Sequence, residues 1–106
     1  MLNNLKLLLG IKDNALDDKL TLIIDTATAR LRALLGGIDP PESLEYIILE
    51  VSVMRFNRIG SEGVSIHSVE GESMHFLDSD FDAFSDDIRT YLEYQSKSER
   101  GRLRFL

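Results

Sequence analysis

The feature that most constrains the fold is a long helical repeat of apolar residues in the first third of the chain. Apolar side chains recur three and four positions apart, and charged or polar side chains fill most of the positions between them. The apolar positions are Leu16, Leu20, Ile23, Ile24, Ala27, Leu31, Leu34 and Leu35. This spacing places one apolar stripe along an α-helix. The repeat stops at Gly36-Gly37, so it predicts an amphipathic helix roughly 33 Å long.

A shorter helix is predicted before this repeat. Its apolar positions are Leu2, Leu5, Leu8 and Leu9. Gly10 follows, and glycine commonly ends a helix because it adopts the left-handed conformation without strain. Asn14 and Asp17 are three residues apart and resemble a capping box. They predict that the Asn14 side chain caps the second helix.

A third helix is predicted after Asp39-Pro40-Pro41. Aspartate is a common cap residue, and proline is favoured in the first helical turn. The apolar positions that follow are Leu44, Ile47, Ile48, Val51, Met54 and Ile59, with Phe56 to one side. Gly60 predicts the end of this helix.

A polar segment separates the third predicted helix from the last one. Residues 61–77 lose the helical spacing and alternate loosely between apolar and polar side chains, which favours a β-hairpin or an extended arm. Asp78 and Asp80 then offer helix caps. The apolar positions after them are Phe81, Phe84, Ile88, Tyr91 and Leu92. We expect this helix to end near Tyr94.

These elements predict a mainly α fold with four helices and a polar extended arm or β-hairpin between the third and fourth. The chain has 106 residues, which is enough for one modest core but not for two. We expect residues 1–96 to form this single helical domain. Residues 97–106 are expected to form a basic, flexible C-terminal tail.

The charge is unevenly distributed along the chain. The net charge is −6, yet residues 97–106 carry four cations against one acid, a net +3, which leaves −9 for residues 1–96. Binding to DNA phosphates needs a basic surface, so the negative net charge argues against a protein whose main task is DNA binding. A basic tail on an acidic body indicates docking on an acidic surface, or a solvated tail that keeps the chain soluble.

Composition excludes several further classes. The chain contains no cysteine, which removes disulfides, thiolate metal sites and a cysteine nucleophile, and fits a cytosolic product. No apolar run approaches the length of about 18 residues that spans a bilayer, so no membrane partner is expected. The first residues lack the features of a signal peptide.

The sequence predicts no enzyme, no cofactor and no metal site. Residues 78–82 imitate the start of a calcium loop, but Ala83 and Arg89 occupy the positions that need glycine and glutamate. His67 and His75 would face each other across a hairpin, but two exposed histidines are more often plain surface residues than metal ligands. The chain has no nucleophile elbow and no Gly-Lys-Ser/Thr phosphate loop.

Arg55 and Arg58 project from adjacent positions near the end of the third predicted helix, because residues three apart are neighbours on a helix. Two interpretations are open. The arginines complement the negative end of the helix dipole and pair with Glu62 or the acidic fourth helix, or they contact an acidic neighbour. We favour the first.

The middle of the chain resembles a known family. It reads MRFNRIGSEG at residues 54–63 and SVEGES at residues 68–73. This pattern, together with the order of the helices, resembles the small head–tail connector (adaptor) proteins of tailed bacteriophages. The resemblance covers nearly the whole chain and implies a structural phage protein with a connector-like fold.

The resemblance also implies partners and a location. Such proteins form a closed ring of about twelve neighbouring copies beneath the portal protein, join the DNA-filled head to a downstream neck or tail-completion protein, and let DNA pass through the channel. The chain would be made in the host bacterial cytoplasm, whether from a phage or a prophage, and assembled into the virion neck. The alternative is a small helical regulatory or nucleic-acid-associated protein, which should carry a basic recognition helix.

The candidate partner-binding residues share charge or exposure in the predicted arm, tail and third helix. They are Arg55, Arg58, Glu62, His67, Glu70, Lys97, Arg100, Arg102, Arg104 and Phe105.

Overall fold

Four α-helices make up most of the described chain. A computed structural model describes residues 1–59 and 78–104. The helices are α1 (Leu2–Leu9), α2 (Asp17–Leu34), α3 (Glu45–Ile59) and α4 (Ser85–Arg104), with 3-10 segments at Glu42–Leu44 and Asp78–Phe84 leading into α3 and α4. This confirms the prediction of a mainly helical, four-helix fold. The predicted arm or β-hairpin lies outside the described residues.

The glycines that follow α1 and α2 end these helices as the sequence predicts. Gly10 adopts the left-handed conformation with φ 73°. This turn lets the backbone N–H of Ile11 donate to the carbonyl of Lys6 at 2.9 Å, which satisfies a carbonyl left open at the helix end. At the end of α2, Gly37 donates to the carbonyl of Arg32 in the same way, also at 2.9 Å.

The side-chain caps predicted at Asn14 and Asp39 are wrong. The residue at the N-cap position of α2 is Leu16, and no side chain caps it. Asn14 instead accepts a hydrogen bond from Lys6 Nζ at 2.8 Å. Asp39 forms a salt bridge with Arg32 Nε at 2.9 Å, so it does not cap the next helix. In both places a basic side chain from a neighbouring element takes the oxygen that a cap would use.

The core consists of two clusters of buried apolar side chains. The larger cluster joins α2, α3 and the start of α4 through Ala27, Leu31, Leu35, Leu44, Ile47, Ile48, Val51, Phe81 and Ile88. The smaller cluster packs α1 against α2 and α3 through Leu5, Leu20, Ile23 and Phe56. Because α2 and α3 contribute to both clusters, they form the central pair. The stripe that the sequence predicts for α2 is the one that is buried.

The buried face of α3 differs from the predicted face. Met54 was expected in the core but is exposed, whereas Phe56 is buried. Ser52 and Arg55 are also buried on this face. Residues 51 and 55 are four positions apart, as are residues 52 and 56, so all four lie on one side of the helix. The third helix therefore presents two polar side chains to the interior.

The last helix is longer than the sequence predicts. An end near Tyr94 was expected, but α4 continues to Arg104. The residues after Tyr94 include no proline, and most of them have moderate or high helix propensity. A helix that has already formed on the core can therefore extend through them. Among the side chains of α4 that are described, residues 85–97, Leu92 is the last apolar one packed against the core, and Tyr94 is 72% exposed. No break in the helix marks the predicted boundary at residue 96.

One buried polar atom gives a direct test of this packing. The hydroxyl of Ser52 is fully buried and has no hydrogen-bond partner among residues 1–59 and 78–104. A buried hydroxyl without a partner costs about 1–3 kcal/mol, and alanine also favours the helix more than serine. We expect Ser52→Ala to raise the free energy of unfolding by about 1 kcal/mol, measured by urea denaturation.

Asn57→Ala provides the control for the Ser52 substitution. Asn57 is exposed on the same helix, and asparagine resembles serine in helix propensity. The control therefore reports the gain from alanine without the buried hydroxyl. A stabilisation by Ser52→Ala no larger than that of Asn57→Ala would show that the hydroxyl carries no penalty.

Candidate functional site

The best-defined polar site is a buried ion cluster formed by Arg55, Asp80 and Arg58. Arg55 Nε donates to Asp80 Oδ2 at 3.0 Å. Arg58 donates to both oxygens of the same carboxylate, with 3.1 Å between Nη1 and Oδ2. The side chains of Arg55 and Asp80 are 2% and 4% exposed, and that of Arg58 is 31% exposed. One carboxylate therefore binds two guanidinium groups at the edge of the core.

The surroundings keep this cluster ionised. Burial by itself would raise the pKa of Asp80, but the hydrogen bonds and charges of Arg58 and Arg55 outweigh it and hold the pKa below its ordinary value. The hydrogen bond to Asp80 raises the pKa of Arg58. Arg55 also lies over the ring of Phe81, with 5.5 Å from its guanidinium carbon to the ring centroid, a favourable cation–π distance.

The cluster joins two parts of the chain that are far apart in sequence. Arg55 and Arg58 lie in the last two turns of α3, and Asp80 lies in the 3-10 segment that leads into α4. The described chain is interrupted between these elements, at residues 60–77. The end of α3 and the start of the segment at Asp78–Phe84 therefore lie beside the same ion cluster.

A second polar contact attaches α4 to α3. The hydroxyl of Tyr46 donates a hydrogen bond to the carboxylate of Asp87, and the Tyr46 ring meets Phe84 edge-on with 6.1 Å between centroids. The bond to Asp87, together with partial burial and the nearby acids Asp87 and Glu50, raises the pKa of Tyr46 to about 12. The phenol therefore stays protonated and keeps donating to Asp87 throughout the neutral range.

The predicted partner-binding residues fall into three groups. Arg55 and Arg58 meet in the ion cluster, which agrees with the first of the two interpretations offered for them. Lys97 is exposed on α4, and Arg100, Arg102 and Arg104 continue the same helix. The others lie outside the described residues: Glu62, His67, Glu70 and Phe105. Of the predicted residues whose side chains are described, Arg55 and Arg58 meet at one carboxylate.

Sequence reasoning missed the partner of the two arginines. It allowed a pairing with the acidic fourth helix, but Asp80 was interpreted as a helix cap. The available signal was the position of Arg55, four residues after the buried Val51. An arginine on an apolar helix face must be buried with a partner, because an isolated buried charge is very costly. The nearest dense group of acids in the sequence begins at Asp78.

The best-defined polar feature of the described residues is the structural ion cluster. No group of three or more His, Asp or Glu side chains within residues 1–59 and 78–104 is arranged to hold a metal ion. In the same part of the chain, no helix is long and apolar enough to cross a membrane. Several large apolar side chains are well exposed, among them Leu7, Leu8, Leu22 and Tyr94. Exposed apolar side chains of this size suit contacts with other proteins.

The fold and site define a small helical domain whose ionic centre holds its own helices together. A family model described as phage gp6-like head-tail connector protein matches residues 1–91. This match spans most of the chain, so the protein belongs to that family of phage structural proteins, as the sequence resemblance indicated. Comparison with curated proteins and with solved structures gave no significant match.

Loss of the shared carboxylate should destabilise the fold. Asp80→Asn keeps the shape of the side chain but removes the charge that both arginines bind. Removing one member of a buried ion pair costs about 3–5 kcal/mol, and we expect a loss near 3 kcal/mol because Arg58 is partly exposed. Asp82→Asn is the matched control, since Asp82 is exposed in the same segment. Equal urea midpoints for the two variants would contradict a structural role for Asp80.

The same carboxylate should make stability depend on pH. The folded-state pKa of Asp80 is lowered, so its contribution is complete above the ordinary aspartate pKa of about 3.9. That contribution is lost as the pH falls through the lower folded-state value. We expect the difference in unfolding free energy between wild type and Asp80→Asn to be constant near neutrality and to shrink below about pH 4. Urea titrations of both proteins across this range measure it, and a difference that grows with acidity would reverse the assigned sign.

Proposed function

We propose that this protein is a ring-forming head–tail connector that joins the portal vertex of the DNA-filled head to the neck or tail. The observation that carries the proposal is the family match to residues 1–91. This range contains α1, α2, α3 and every buried residue of the two core clusters. The shared part is therefore the whole packed body, and the proposed role is the role of that body.

The structure suits a subunit whose helices must keep a constant arrangement. The ion cluster and the Tyr46–Asp87 hydrogen bond fix the start of α4 against α3. A subunit of a ring transmits contacts from one neighbour to the next, so its two contact faces must keep a constant relation. Directional bonds between charged groups supply that constancy better than apolar packing alone.

The charge distribution supports a channel that DNA passes without binding. Residues 1–96 carry a net charge of −9, and like charge repels the phosphate backbone. A basic lumen would hold the duplex through its phosphates. We propose that DNA is in transit through the ring and that the stable partners are proteins: the portal protein above, neighbouring copies at the sides, and a neck or tail-completion protein below.

The basic end of α4 is the proposed docking element. Lys97, Arg100, Arg102 and Arg104 follow Leu92, the last described apolar side chain of α4 that packs against the core. The family match also ends before them, at residue 91. A helical extension that the core does not use is available for a partner. We propose that it docks against the portal or an adjacent copy, with its arginines meeting carboxylates.

Assembly gives one test of the ring. We expect the purified chain to be a monomer or a weak small oligomer in dilute solution, and to form rings with portal protein or at high concentration. Native mass spectrometry and light scattering measure both states. A tight dimer whose mass does not change with concentration would count against a ring, because a closed two-fold interface leaves no head-to-tail surface.

The docking element gives a second test. Replacing Arg100, Arg102 and Arg104 with glutamate should leave the melting temperature nearly unchanged but abolish attachment to DNA-filled heads. Lysine at the same three positions keeps the charge and is the control, for which we expect substantial attachment. Truncation after Ser96 should behave like the glutamate variant. The measurement is infectious particles formed on heads that lack the connector, and normal yields from the truncated chain would refute the docking role.

A further inference from the structure

The outer face of α3, with the 3-10 turn before it, carries exposed side chains at intervals of four residues. They are Glu42, Tyr46, Glu50 and Met54. Residues four apart are neighbours on a helix, so these side chains follow one stripe, about 18 Å long at about 1.5 Å per residue. Tyr46 and Met54 are 39% and 36% exposed. An exposed aromatic ring between two carboxylates suits a guanidinium group, which stacks on the ring and binds the acids.

A third carboxylate joins this stripe from α4. Asp87 is exposed and accepts the hydrogen bond of the Tyr46 hydroxyl. The hydrogen bond to Asp87, partial burial and the charges of Asp87 and Glu50 raise the pKa of Tyr46 to about 12, which is the direction expected beside negative charges. We call Glu42, Tyr46, Glu50 and Asp87 the acidic row.

The two elements that form the acidic row contain few cations to offset it. Between Glu42 and Ile88, the only lysine or arginine residues of the sequence are Arg55 and Arg58. Both bind Asp80 in the ion cluster at the other end of α3. The acidic row therefore presents net negative charge around an exposed ring, and it fits a partner that carries arginine or lysine side chains.

The basic end of α4 has the complementary charge. Lys97, Arg100 and Arg104 are three and four positions apart in α4, a spacing that places positions on one side of a helix. The helix rises about 10 Å from residue 97 to residue 104, and the acidic row extends about 12 Å from Glu42 to Glu50. Two rows of opposite charge thus agree in length and in spacing, which is the complementarity that orients docking.

The basic end of the same copy points away from its own acidic row. The 3-10 segment before α4 lies beside the end of α3, and Asp87 contacts Tyr46 near the start of α3. The helix α4 is therefore antiparallel to α3 and continues past its first turn. Arg100 lies thirteen residues beyond Asp87 on a continuous helix, about 20 Å further at about 1.5 Å per residue. A second copy has no such restriction.

We propose that the basic end of α4 in one copy docks on the acidic row of the next copy. Donor and acceptor surfaces differ, so the contact is head-to-tail and repeats from copy to copy until a ring closes. This inference deepens the proposed function, on which it rests for the ring, by naming the two surfaces that meet. The partner is a second copy of this chain.

Charge reversal in the full chain tests the contact without heads or portal protein. Sedimentation equilibrium measures self-association at low salt, where charge pairs are least screened. Glu42→Arg combined with Glu50→Arg should weaken self-association by about tenfold or more, because arginines then face the basic end of α4. Asp18→Arg combined with Asp25→Arg is the matched control. Both aspartates are exposed on α2, the net charge changes equally, and the affinity should stay within about twofold.

A charge swap makes the test specific. Arg100→Glu combined with Arg104→Glu should weaken self-association as strongly as reversal of the acidic row. A chain with both reversals has the wild-type net charge and again pairs opposite charges, so its self-association should return to within about threefold of wild type. The same donor reversal combined with the α2 control reversal has that net charge too, but should not recover. Recovery by the swapped chain also shows that its parts are folded.

The outcomes separate this inference from the proposed function. The contact would be overturned by a wild-type chain that never self-associates, by equal weakening in the α2 control, or by a swapped chain that fails to recover. If attachment to heads persisted in that case, the connector role would stand without the contact. If the swapped chain recovered but the wild-type chain failed to join tails to heads, the contact would stand and the connector role would fall.

Discussion

A carboxylate shared by two arginines is the interaction on which the placement of residues 78–104 against α3 depends. Asp80 is nearly completely buried, and both of its oxygens accept hydrogen bonds from α3. The 3-10 segment before α4 therefore has a fixed position at the end of α3. Phe81, the next residue, enters the main core from this point, and α4 continues in the direction that the segment sets.

This dependence has more to do with geometry than with total stability. Replacing a buried ion pair with apolar residues is often neutral or stabilising, because desolvation offsets the attraction of the charges. A carboxylate that binds two guanidinium groups, however, accepts them only in a narrow range of directions. The cluster therefore selects one arrangement of α3 and α4 among those that apolar packing would allow. In the proposed ring, where each subunit matches identical neighbours, a single arrangement matters more than a deeper free-energy minimum.

The helices could be predicted from the sequence because the helical spacing of apolar residues is visible within each segment. Leu16 to Leu35 and Leu44 to Val51 repeat with the helical period, and the glycines after α1 and α2 end those helices without help from distant residues. The caps could not be predicted in this way. Asn14 is bound by a lysine from α1, and that competition exists only once the chain has folded.

Two further features depend on contacts that the sequence does not display. The end of α4 was misplaced because the apolar stripe stops at Leu92, whereas a nucleated helix needs only the absence of a breaker to continue. The groove between α2 and α4, which Leu34 and Leu92 also line, was missed because Phe81 and Ile88 were expected in the core, where they do lie. The open space beside them arises from how α2 and α4 meet. No single residue in the sequence signals it.

The length of α4 beyond the core has a mechanical consequence. About twelve residues extend past Leu92, roughly 18 Å of helix at 1.5 Å per residue. Its base is held to α3 by Asp80 and Asp87, so the helix behaves as a lever with a fixed pivot. A tilt of about 10° at the base displaces the tip by about 3 Å over this length, close to half a helical turn. A small change in packing at the base of α4 therefore produces a larger displacement of its far end.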